Sequence, residues 1–302
     1  MTEPKNLRFY LEDKLLRAAQ DGTHNFLAQL ISVTEDAGFQ TELCPREQGR
    51  ETAADGYSIF HDEDPGQPGG LTFRRVYHGS FWTIEKSSER WASRVALRSF
   101  NSDKIDPNKA KTFYERWQRR VFRNAPAKTS HEGFVYVPLQ DQLIERRGFQ
   151  MASPIEMIMS VLHHEPNRRV IVTLHPRENY SMKEQNRLQQ MQDRFSNLQI
   201  QKGGMIPLLQ SCDYVVTQNS AVAFNGYFFG KPSILFGKTD FHHIALNVEG
   251  LGVSNAFEQV HEHRPDYARF IYWFWHKNSI NAGRPVAEEQ IAQALRREGW
   301  PL

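Results

Sequence analysis

One segment in the second half of the chain constrains the fold more than any other. Residues 213–240 have the sequence DYVVTQNSAVAFNGYFFGKPSILFGKTD, in which the apolar run at 213–217 favours a buried strand. Asn219-Ser220 favours the start of a helix, the Gly-Lys-Pro run at 230–232 favours its end, and residues 233–236 favour a second strand. Strand, helix and strand in this order predict a βαβ unit and therefore a parallel sheet.

The start of this predicted helix is a candidate anion site. A helix that begins at the carboxyl end of a parallel strand directs free backbone N–H groups and the positive end of its dipole into the crevice where such sheets bind ligands. Asn219 or Ser220 would cap the helix, and the small residues Ala221, Ala223 and Gly226 would let it lie close to the sheet and to a phosphate. An ordinary capped crossover helix without a ligand is the alternative.

The segments that precede this unit continue the alternation of strand and helix. Three apolar runs predict strands, at 134–139, 169–174 and 198–201. Two capping-box patterns, S-P-I-E beginning at Ser153 and S-M-K-E beginning at Ser181, predict helices over about 154–164 and to about 195. The order of these elements predicts an α/β fold with a doubly wound parallel sheet.

Polar residues follow the predicted strands at the points where such a sheet binds ligands. Gln140, His175 and Asn219-Ser220 each follow a strand, as does Gly237-Lys238. A histidine fixed by the following Pro176 can donate a hydrogen bond to a phosphate or to a departing nucleotide oxygen. A lone histidine is also often structural, but a histidine, a helix start and a lysine loop on one edge of a sheet predict an anion site.

The N-terminal part shows a second, weaker α/β pattern. Residues 7–11 and 39–44 predict strands on either side of a helix that contains Phe26, Leu27, Leu30 and Ile31. We expect His24, which precedes this helix, at a strand-end crevice. There His24 would contact a sugar or phosphate, or else would be a solvated loop histidine.

Three acidic residues end the next predicted strand, at 57–60. Asp62, Glu63 and Asp64 are followed by Pro-Gly, so this loop can project a carboxylate into a cleft for general-base catalysis. An acidic turn kept outside by solvation explains the pattern equally well. Three acids without further oxygen ligands do not specify a divalent-cation site.

A proline-containing polar segment at 124–130 predicts the boundary between two domains, 1–125 and 131–302, the second of which ends in helices. Only analogy with two-domain sugar-nucleotide enzymes indicates that the last helix crosses back onto the first domain. The chain length of 302 residues is compatible with two domains of ordinary size.

Composition excludes several classes of protein. A net charge of +2 and a charged fraction of 24% do not favour nucleic-acid binding. The two cysteines, Cys44 and Cys212, are too few for a disulfide framework and favour a reducing compartment. The absence of an apolar leader or a long apolar stretch favours a cytoplasmic protein. The basic and aromatic segment 109–123 predicts either contact with anionic lipid at the membrane surface or a solvated helix with one packed aromatic stripe.

Common motifs for nucleotides, nucleophiles and metals are absent from the sequence. We find no Walker A motif, no G-x-G-x-x-G, no G-x-S-x-G and no H-E-x-x-H. The histidine pairs His163-His164 and His242-His243 are adjacent in sequence, so their side chains are expected to point apart. We therefore expect neither a metal site nor a bound cofactor.

Two sequence features together resemble a known family. Thr-Leu-His-Pro at 173–176, followed by VVTQNSAVAFNGYFFGKPSILFGKTDF at 215–241, resembles the bacterial capsule polysaccharide biosynthesis family. That family includes transferases of 3-deoxy-D-manno-octulosonic acid (Kdo) and shares an HP motif with several bacterial sialyltransferases. The resemblance extends from residue 134 to about 243, roughly a third of the chain.

The resemblance implies a GT-B-like architecture of two Rossmann-like domains with parallel sheets facing a central cleft, and metal-independent chemistry. The first domain would hold mainly the acceptor and the second the nucleotide sugar. By matching positions, His175 of the HP motif would contact the donor phosphate, Asn219 and Ser220 would bind it, and Gly237 would border the nucleotide. The donor suggested by the resemblance is a CMP-linked acidic sugar such as CMP-Kdo.

These expectations lead to one principal function and two alternatives. The principal function is a cytoplasmic glycosyltransferase, associated peripherally with the inner membrane, that adds a sugar to a surface glycan or glycolipid. Donor contacts are expected from His175-Pro176, the 219–220 pair, Gly237-Lys238 and Gln140. Asn225-Gly226 depart from the family pattern and favour a catalytically inactive nucleotide- or glycan-binding protein. A nucleotide-sugar epimerase is the remaining alternative.

Overall fold

The computed structural model describes residues 5–50 and 56–302, which form two compact units. The first unit runs to Arg98 and also contains Trp273–Leu302, and the second is Ser99–Tyr272. Each unit contains one six-stranded sheet. The α/β fold class predicted from the sequence is therefore confirmed.

The strands and helices have the following bounds. The strands are β1 Lys5–Leu11, β2 Phe39–Pro45, β3 Tyr57–His61, β4 Leu71–Arg75, β5 Phe81–Glu85, β6 Phe134–Pro138, β7 Arg169–Leu174, β8 Leu198–Lys202, β9 Tyr214–Thr217, β10 Ser233–Leu235, β11 Leu246–Asn247 and β12 Ile280–Asn281. The α-helices are α1 Asp13–Gln20, α2 Asn25–Asp36, α3 Pro107–Phe122, α4 Pro154–His164, α5 Met182–Arg194, α6 Met205–Ser211, α7 Ala221–Gly226, α8 Val248–Leu251, α9 Val253–Val260, α10 Tyr267–Ile271 and α11 Ala287–Arg297.

The sheet of the second unit is entirely parallel. Its strand order is β11-β10-β9-β6-β7-β8, with β6 and β9 at the centre. All five residues of β6 and all four of β9 are buried, because helices cover both faces of a doubly wound sheet. Continuous apolar runs such as FVYVP are typical of strands in this environment, which explains why the sequence located them correctly.

Both predicted capping boxes form. The Ser153 and Ser181 side chains accept hydrogen bonds from the backbone N–H groups of Glu156 and Glu184. Each glutamate in turn accepts a hydrogen bond from the N–H of its serine. These reciprocal bonds satisfy backbone donors that have no partner within the helix, and they fix where α4 and α5 begin.

A buried carboxylate joins β9 to its surroundings. Glu165, at the end of α4, accepts a hydrogen bond of 2.6 Å from the Tyr214 hydroxyl and contacts His261 at 2.9 Å and Arg168 at 3.1 Å. Burial, followed by the hydrogen bond to this carboxylate, raises the pKa of Tyr214. Because the carboxylate has several partners, its desolvation is offset and the end of α4 is tied to the sheet.

The first unit has a mixed sheet in the order β12-β5-β4-β3-β1-β2. Strands β2, β1, β3 and β4 are parallel, whereas β5 pairs antiparallel with β4 and β12 pairs antiparallel with β5. The connection from β4 to β5 includes Tyr77 and Gly79, both at positive φ. The sequence did not predict this hairpin, since its strands are short and its turn has no Asn-Gly or Asp-Gly pair.

The C-terminal residues belong to the first unit. Ile280, Ile291, Leu295 and Trp300 are buried in the same hydrophobic core as the residues of β1 and α2. The Trp275 indole N–H also donates a hydrogen bond of 3.0 Å to the carbonyl of Val76. Burial of these side chains holds the chain end on the first sheet, so Trp273–Leu302 lie outside the second domain, which was predicted to extend over 131–302.

The boundary between the units, after Arg98, lies earlier than the predicted segment at 124–130, because α3 packs within the second unit. The Tyr114 hydroxyl donates to the carbonyl of Tyr227 at 2.8 Å, and the Gln118 amide donates to the carbonyl of Phe228 at 2.6 Å. Residues 125–130 are also held by the second unit, since Lys231 Nζ donates to the Ser130 carbonyl at 2.5 Å. The polar composition of residues 124–130 predicted a linker, but these hydrogen bonds make the segment part of the second unit.

Two tyrosines on neighbouring strands allow a matched test of the buried carboxylate. Tyr214 and Tyr136 are each 1% exposed, but Tyr214 bonds to a carboxylate whereas Tyr136 lies 3.1 Å from the neutral Thr173 hydroxyl. Since hydrogen bonds to charged groups contribute more, we expect Tyr214→Phe to lower the free energy of unfolding by about 2 kcal/mol and Tyr136→Phe by about 1 kcal/mol. Urea denaturation measures both values. Equal losses in the two variants would show that the hydrogen bond to the carboxylate stabilises the fold no more than the hydrogen bond between two neutral hydroxyl groups.

Candidate active site

Most of the predicted donor contacts follow strands that end on one side of the second sheet. Gly237 and Lys238 follow β10, Asn219 and Ser220 follow β9, Gln140 follows β6, and His175 follows β7. These four strands are adjacent and parallel, so their carboxyl ends form a single edge, which we call the carboxyl edge of the second unit.

His175 is positioned by its own loop. Its backbone N–H donates a hydrogen bond of 2.9 Å to the Tyr180 hydroxyl, and its side chain is 35% exposed. The N–H of Arg177 donates to His175 Nδ1 at 3.4 Å, while the Glu178 carboxylate lies 3.6 Å from the same nitrogen. With Nδ1 acting as an acceptor, the neutral ring has its proton on Nε2. Nε2 forms no hydrogen bond to any residue that the structure describes, so it is free to bind a ligand.

Ser220 and Asn219 form the start of α7. The Ser220 side chain accepts a hydrogen bond of 3.3 Å from the N–H of Val222 and so caps the helix. The Asn219 amide donates to the carbonyl of Lys238 at 3.4 Å, which joins the loops after β9 and β10. The helix has only six residues before it tightens into the 3₁₀ turn Tyr227–Phe229.

The strands that precede His175 and the start of α7 are not adjacent in the sheet. Strand β6 lies between β7 and β9, and neighbouring strands are about 4.8 Å apart. The ends of β7 and β9, which precede His175 and Ser220, therefore share an edge and lie roughly 10 Å apart, two strand spacings. Gln140 follows the strand between them. A ligand that contacts both residues must extend along the edge, as a nucleotide sugar can.

Gly237 makes a close backbone approach. Its N–H donates to the carbonyl of Gln218 at 3.0 Å, and a Cβ at this position would lie 3.2 Å from that oxygen. The N–H of Lys238 donates to the carbonyl of Phe149 at 2.9 Å, and the Lys238 ammonium lies 3.1 Å from Glu249. Glycine at 237 thus lets the loop after β10 lie close to the chain that follows β9, while Lys238 joins it to the loop after β6.

The sequence analysis missed the residues that hold this loop after β6. Glu184 Oε1 accepts a hydrogen bond of 2.6 Å from the N–H of Leu143, and the Gln218 amide donates to the carbonyl of Ala152 at 2.9 Å. Burial disfavours the charged form of Glu184, but the hydrogen bonds from Leu143 and Ser181 outweigh burial and lower its pKa. The capping box predicted the bond between Glu184 and Ser181. The bond to Leu143 could not be predicted in this way, because Leu143 is distant in sequence.

In the first unit, the three acidic residues after β3 differ in their contacts. Asp64 accepts a hydrogen bond from the N–H of Gly66 at 3.1 Å and another from the Ser87 hydroxyl at 3.3 Å. Glu63 lies 3.4 Å from Arg46, and Asp62 lies 3.8 Å from Arg90. The side chain of Asp62 is 47% exposed, whereas that of Glu63 is 26% exposed. Asp64 thus stabilises the turn, while Asp62 remains accessible.

Two histidines lie near these acids. Helix α1 lies between β1 and His24 in the chain, and His24 caps α2 by accepting a hydrogen bond of 3.2 Å from the N–H of Leu27. His61, which sequence reasoning passed over, is the last residue of β3. Burial lowers the pKa of both imidazoles, and the cation Arg75 lowers them further, so both rings are neutral at pH 7. His61 could have been identified from the sequence, because it directly follows the predicted strand at 57–60.

Two properties of the described ranges, 5–50 and 56–302, complete the description. No three His, Cys, Asp or Glu side chains come close enough together there to hold a metal ion. No helix in these ranges is both long enough and apolar enough to cross a bilayer.

The basic and aromatic segment at 109–123 is mostly α3. Phe113, Trp117 and Phe122 are buried in the second unit, while Arg116 and Arg120 lie over the rings of Phe113 and Trp117 on the exposed side. The aromatic stripe is therefore packed, as the structural alternative predicted, and only the cationic side of the helix faces solvent.

Comparison with solved structures shows the fold. The beta Kdo 2,7 transferase KpsC of Thermosulfurimonas dismutans is similar to 96% of this chain and 99% of its own, with a TM-score of 0.53 and 11% identity. The beta Kdo 2,4 transferase KpsC of the same organism matches 87% of this chain and 88% of its own, with a TM-score of 0.49 and 11% identity. The first likeness confirms the GT-B-like fold.

Sequence comparison shows the family. None of the curated protein sequences matches this chain. A profile of the family described as "Capsule polysaccharide biosynthesis protein", however, matches residues 100–278, which is more than half of the chain. This range contains α3 and the whole carboxyl edge of the second unit, and the chain belongs to the capsule polysaccharide biosynthesis protein family.

Proposed function

We propose that this protein is a glycosyltransferase that moves a sugar from a nucleotide donor onto a capsular or other surface polysaccharide or a glycolipid. The observation that carries the proposal is the row of polar groups along the carboxyl edge of the second unit, with the free Nε2 of His175 at one end, Lys238 at the other and the α7 cap between them. Such an edge of an open α/β sheet is where nucleotides bind.

The proposed reaction is a substitution at the anomeric carbon of the donor sugar. A new bond forms between that carbon and the acceptor oxygen, and the bond to the phosphate oxygen breaks with its electron pair remaining on the nucleotide. His175 Nε2–H donates a hydrogen bond to this phosphate as its charge increases. Gln140, Asn219 and Lys238 orient the donor, while Pro176 and Gly237 shape the backbone around it.

We assign removal of the acceptor proton to Asp62. Among the three acids of its loop, Asp64 is engaged by Gly66 and Ser87, and Glu63 is the less exposed member of the two ion pairs. Asp62 combines exposure with a position after β3, where a carboxylate can reach a hydroxyl group. His24, on the same assignment, contacts the acceptor through Nε2, since its Nδ1 caps α2.

For the donor we propose a CMP-linked acidic sugar such as CMP-Kdo, transferred without a catalytic metal ion. Family membership supports this choice, and the protein of similar fold is described as a beta Kdo transferase. We further propose that the protein acts in the cytoplasm at the inner-membrane surface. Its two free cysteines, both buried, fit a reducing compartment, and the exposed cations of α3 fit anionic lipid.

The inactive alternative was based on Asn225-Gly226, and the structure reduces its weight. Asn225 is 5% exposed, and its amide lies 3.2 Å from Met205 Sδ. A Cβ at Gly226 would lie 3.5 Å from Leu209, Val215 and Lys231, an ordinary packing distance. These two positions therefore lie among packed side chains, and we attribute the departure from the family pattern there to packing.

The role of His175 has a direct test. His175→Ala removes the hydrogen bond to the leaving phosphate, so we expect turnover to fall by at least about tenfold while the fold is kept. His163→Ala is the matched control, because His163 is exposed on α4 and away from the edge. Initial rates of sugar transfer measure both. Unchanged turnover in His175→Ala would remove the residue from the mechanism.

Two isosteric variants distinguish the roles of Asp62 and Asp64 in the first unit. Asp62→Asn abolishes the proposed base and should lower kcat by about 100-fold or more, with KM for the donor little changed. Asp64→Asn keeps the turn oxygen and should retain most of the activity. Steady-state kinetics over a range of donor concentrations, at saturating acceptor, measures kcat and the donor KM of both variants. The opposite order of effects would transfer the role of base from Asp62 to Asp64.

The donor nucleotide can be identified by thermal denaturation. A ligand that binds only the folded state stabilises it, by about 2.7 kcal/mol at a concentration of 100 times Kd. We expect CMP to raise Tm more than UDP or GDP at equal concentration, and chelation of divalent cations to leave the shift unchanged. A larger shift with UDP or GDP would contradict the proposed donor.

A further inference from the structure

A cavity of about 650 Å³ lies between the first halves of α4 and α5. This volume is within the range of pockets that bind small ligands, roughly 300–1,000 Å³. The cavity does not include the donor contacts proposed above, and it shares no lining residue with the carboxyl edge. The second unit therefore contains a pocket that sugar transfer, as proposed, leaves unused.

One wall of this pocket is a polar stripe on α5. Lys183, Asn186, Arg187 and Gln190 follow the i, i+3, i+4, i+7 spacing that places side chains on one face of a helix. All four are exposed, and all four present N–H donors. Within the described parts of the chain, neither cation of the stripe forms an ion pair with an acidic residue. An anion that enters the pocket would therefore meet two unpaired positive charges.

The opposite wall is largely apolar. Ile144 and Ile155 line it, together with the carboxylate of Glu156. Glu156 Oε2 already accepts a hydrogen bond of 2.7 Å from the N–H of Ser153, and the bonds from Ser153 lower the pKa of this carboxyl. The lining thus combines two cations, two amides, an apolar surface and one ionised carboxylate. The second oxygen of that carboxylate can accept a hydrogen bond from a hydroxyl group.

We propose that this pocket is a second glycan subsite that binds an acidic sugar unit of the acceptor polymer. The sugar carboxylate pairs with Lys183 and Arg187, and ring hydroxyls bond to Asn186 and Gln190. The apolar side of the ring packs on Ile144 and Ile155. This inference rests on the proposed glycosyltransferase function and deepens it, because it identifies the acceptor as an acidic glycan held at a point away from the reaction.

The pocket is mechanically connected to the carboxyl edge. Glu184, on the first turn of α5, holds the loop after β6 through Leu143, and Tyr180, just before α5, holds the backbone of His175. A glycan bound on α5 is therefore attached to the helix that fixes the loop after β6, and the segment leading into that helix fixes the loop of His175. Retention there would keep a long acceptor on the protein between successive transfers, while a short acceptor would gain nothing.

Binding measurements test the subsite without relying on catalysis. Isothermal titration calorimetry would use two acidic probes, trigalacturonate and Kdo, and one neutral probe, maltotriose. At least one of the acidic probes should bind, and maltotriose should not bind. The double variant Lys183→Gln/Arg187→Gln should weaken this binding by about tenfold or more, since it removes both charge-assisted contacts. Asn186→Trp, which fills the pocket without changing charge, should weaken it similarly.

A matched control separates a specific site from general attraction to a basic surface. Arg116→Gln/Arg120→Gln removes the same number of charges, at the same i, i+4 spacing, from the exposed side of α3. Its affinity for the acidic probe should equal that of the unmodified protein. Equal weakening in the two double variants, or no binding of either acidic probe at millimolar concentration, would overturn the proposal.

Two further readouts distinguish this subsite from the proposed active site. Saturating CMP should not displace the acidic probe, and His175→Ala should bind it with unchanged affinity. Displacement by CMP would show that the probe occupies the carboxyl edge and would overturn the subsite. Loss of transfer in His175→Ala with retained probe binding would, in contrast, affect only the active-site assignment.

Discussion

The pairing of β6 with β7 on one side and β9 on the other is the constraint on which the second unit depends. Residues 134–138 of β6 lie opposite 169–173 of β7, and β6 meets β9 through Val135 and Tyr136. Because parallel pairing makes all carboxyl ends terminate together, the loops that follow these strands share one edge. The position of each proposed donor contact is set by this ladder more than by any contact between the site residues.

Hydrogen bonds between the loops then give the edge its shape. The loop after β6 is held by Glu184 on one side and by the chain at Gly237 and Lys238 on the other. Such second-layer contacts are needed because a loop side chain binds a phosphate well only if its own backbone is fixed. The same α5 that supplies Glu184 also supplies the polar stripe, so one helix supports the proposed active site and the proposed glycan subsite.

Sequence patterns located long, strongly apolar elements and their caps. The helix predicted over about 154–164 is α4, Pro154–His164, and the strand predicted at 169–174 is β7, Arg169–Leu174. Short elements without a regular pattern were missed, among them α1 and the hairpin of β4 and β5. The predicted boundary near residue 125 was displaced because the partners of α3 lie more than 100 residues away in sequence.

By itself, the sequence determined the α/β class, the capped helices and the polar residues at strand ends, because local periodicity and capping chemistry depend on near neighbours. It also contained the family likeness at 173–176 and 215–241. Only the tertiary structure decided the strand order, which places β6 between the strands that precede His175 and Ser220, and the hydrogen bonds that distinguish Asp64 from Asp62 as a candidate base. These outcomes depend on which distant segments pair, and that choice follows from burial of the whole core.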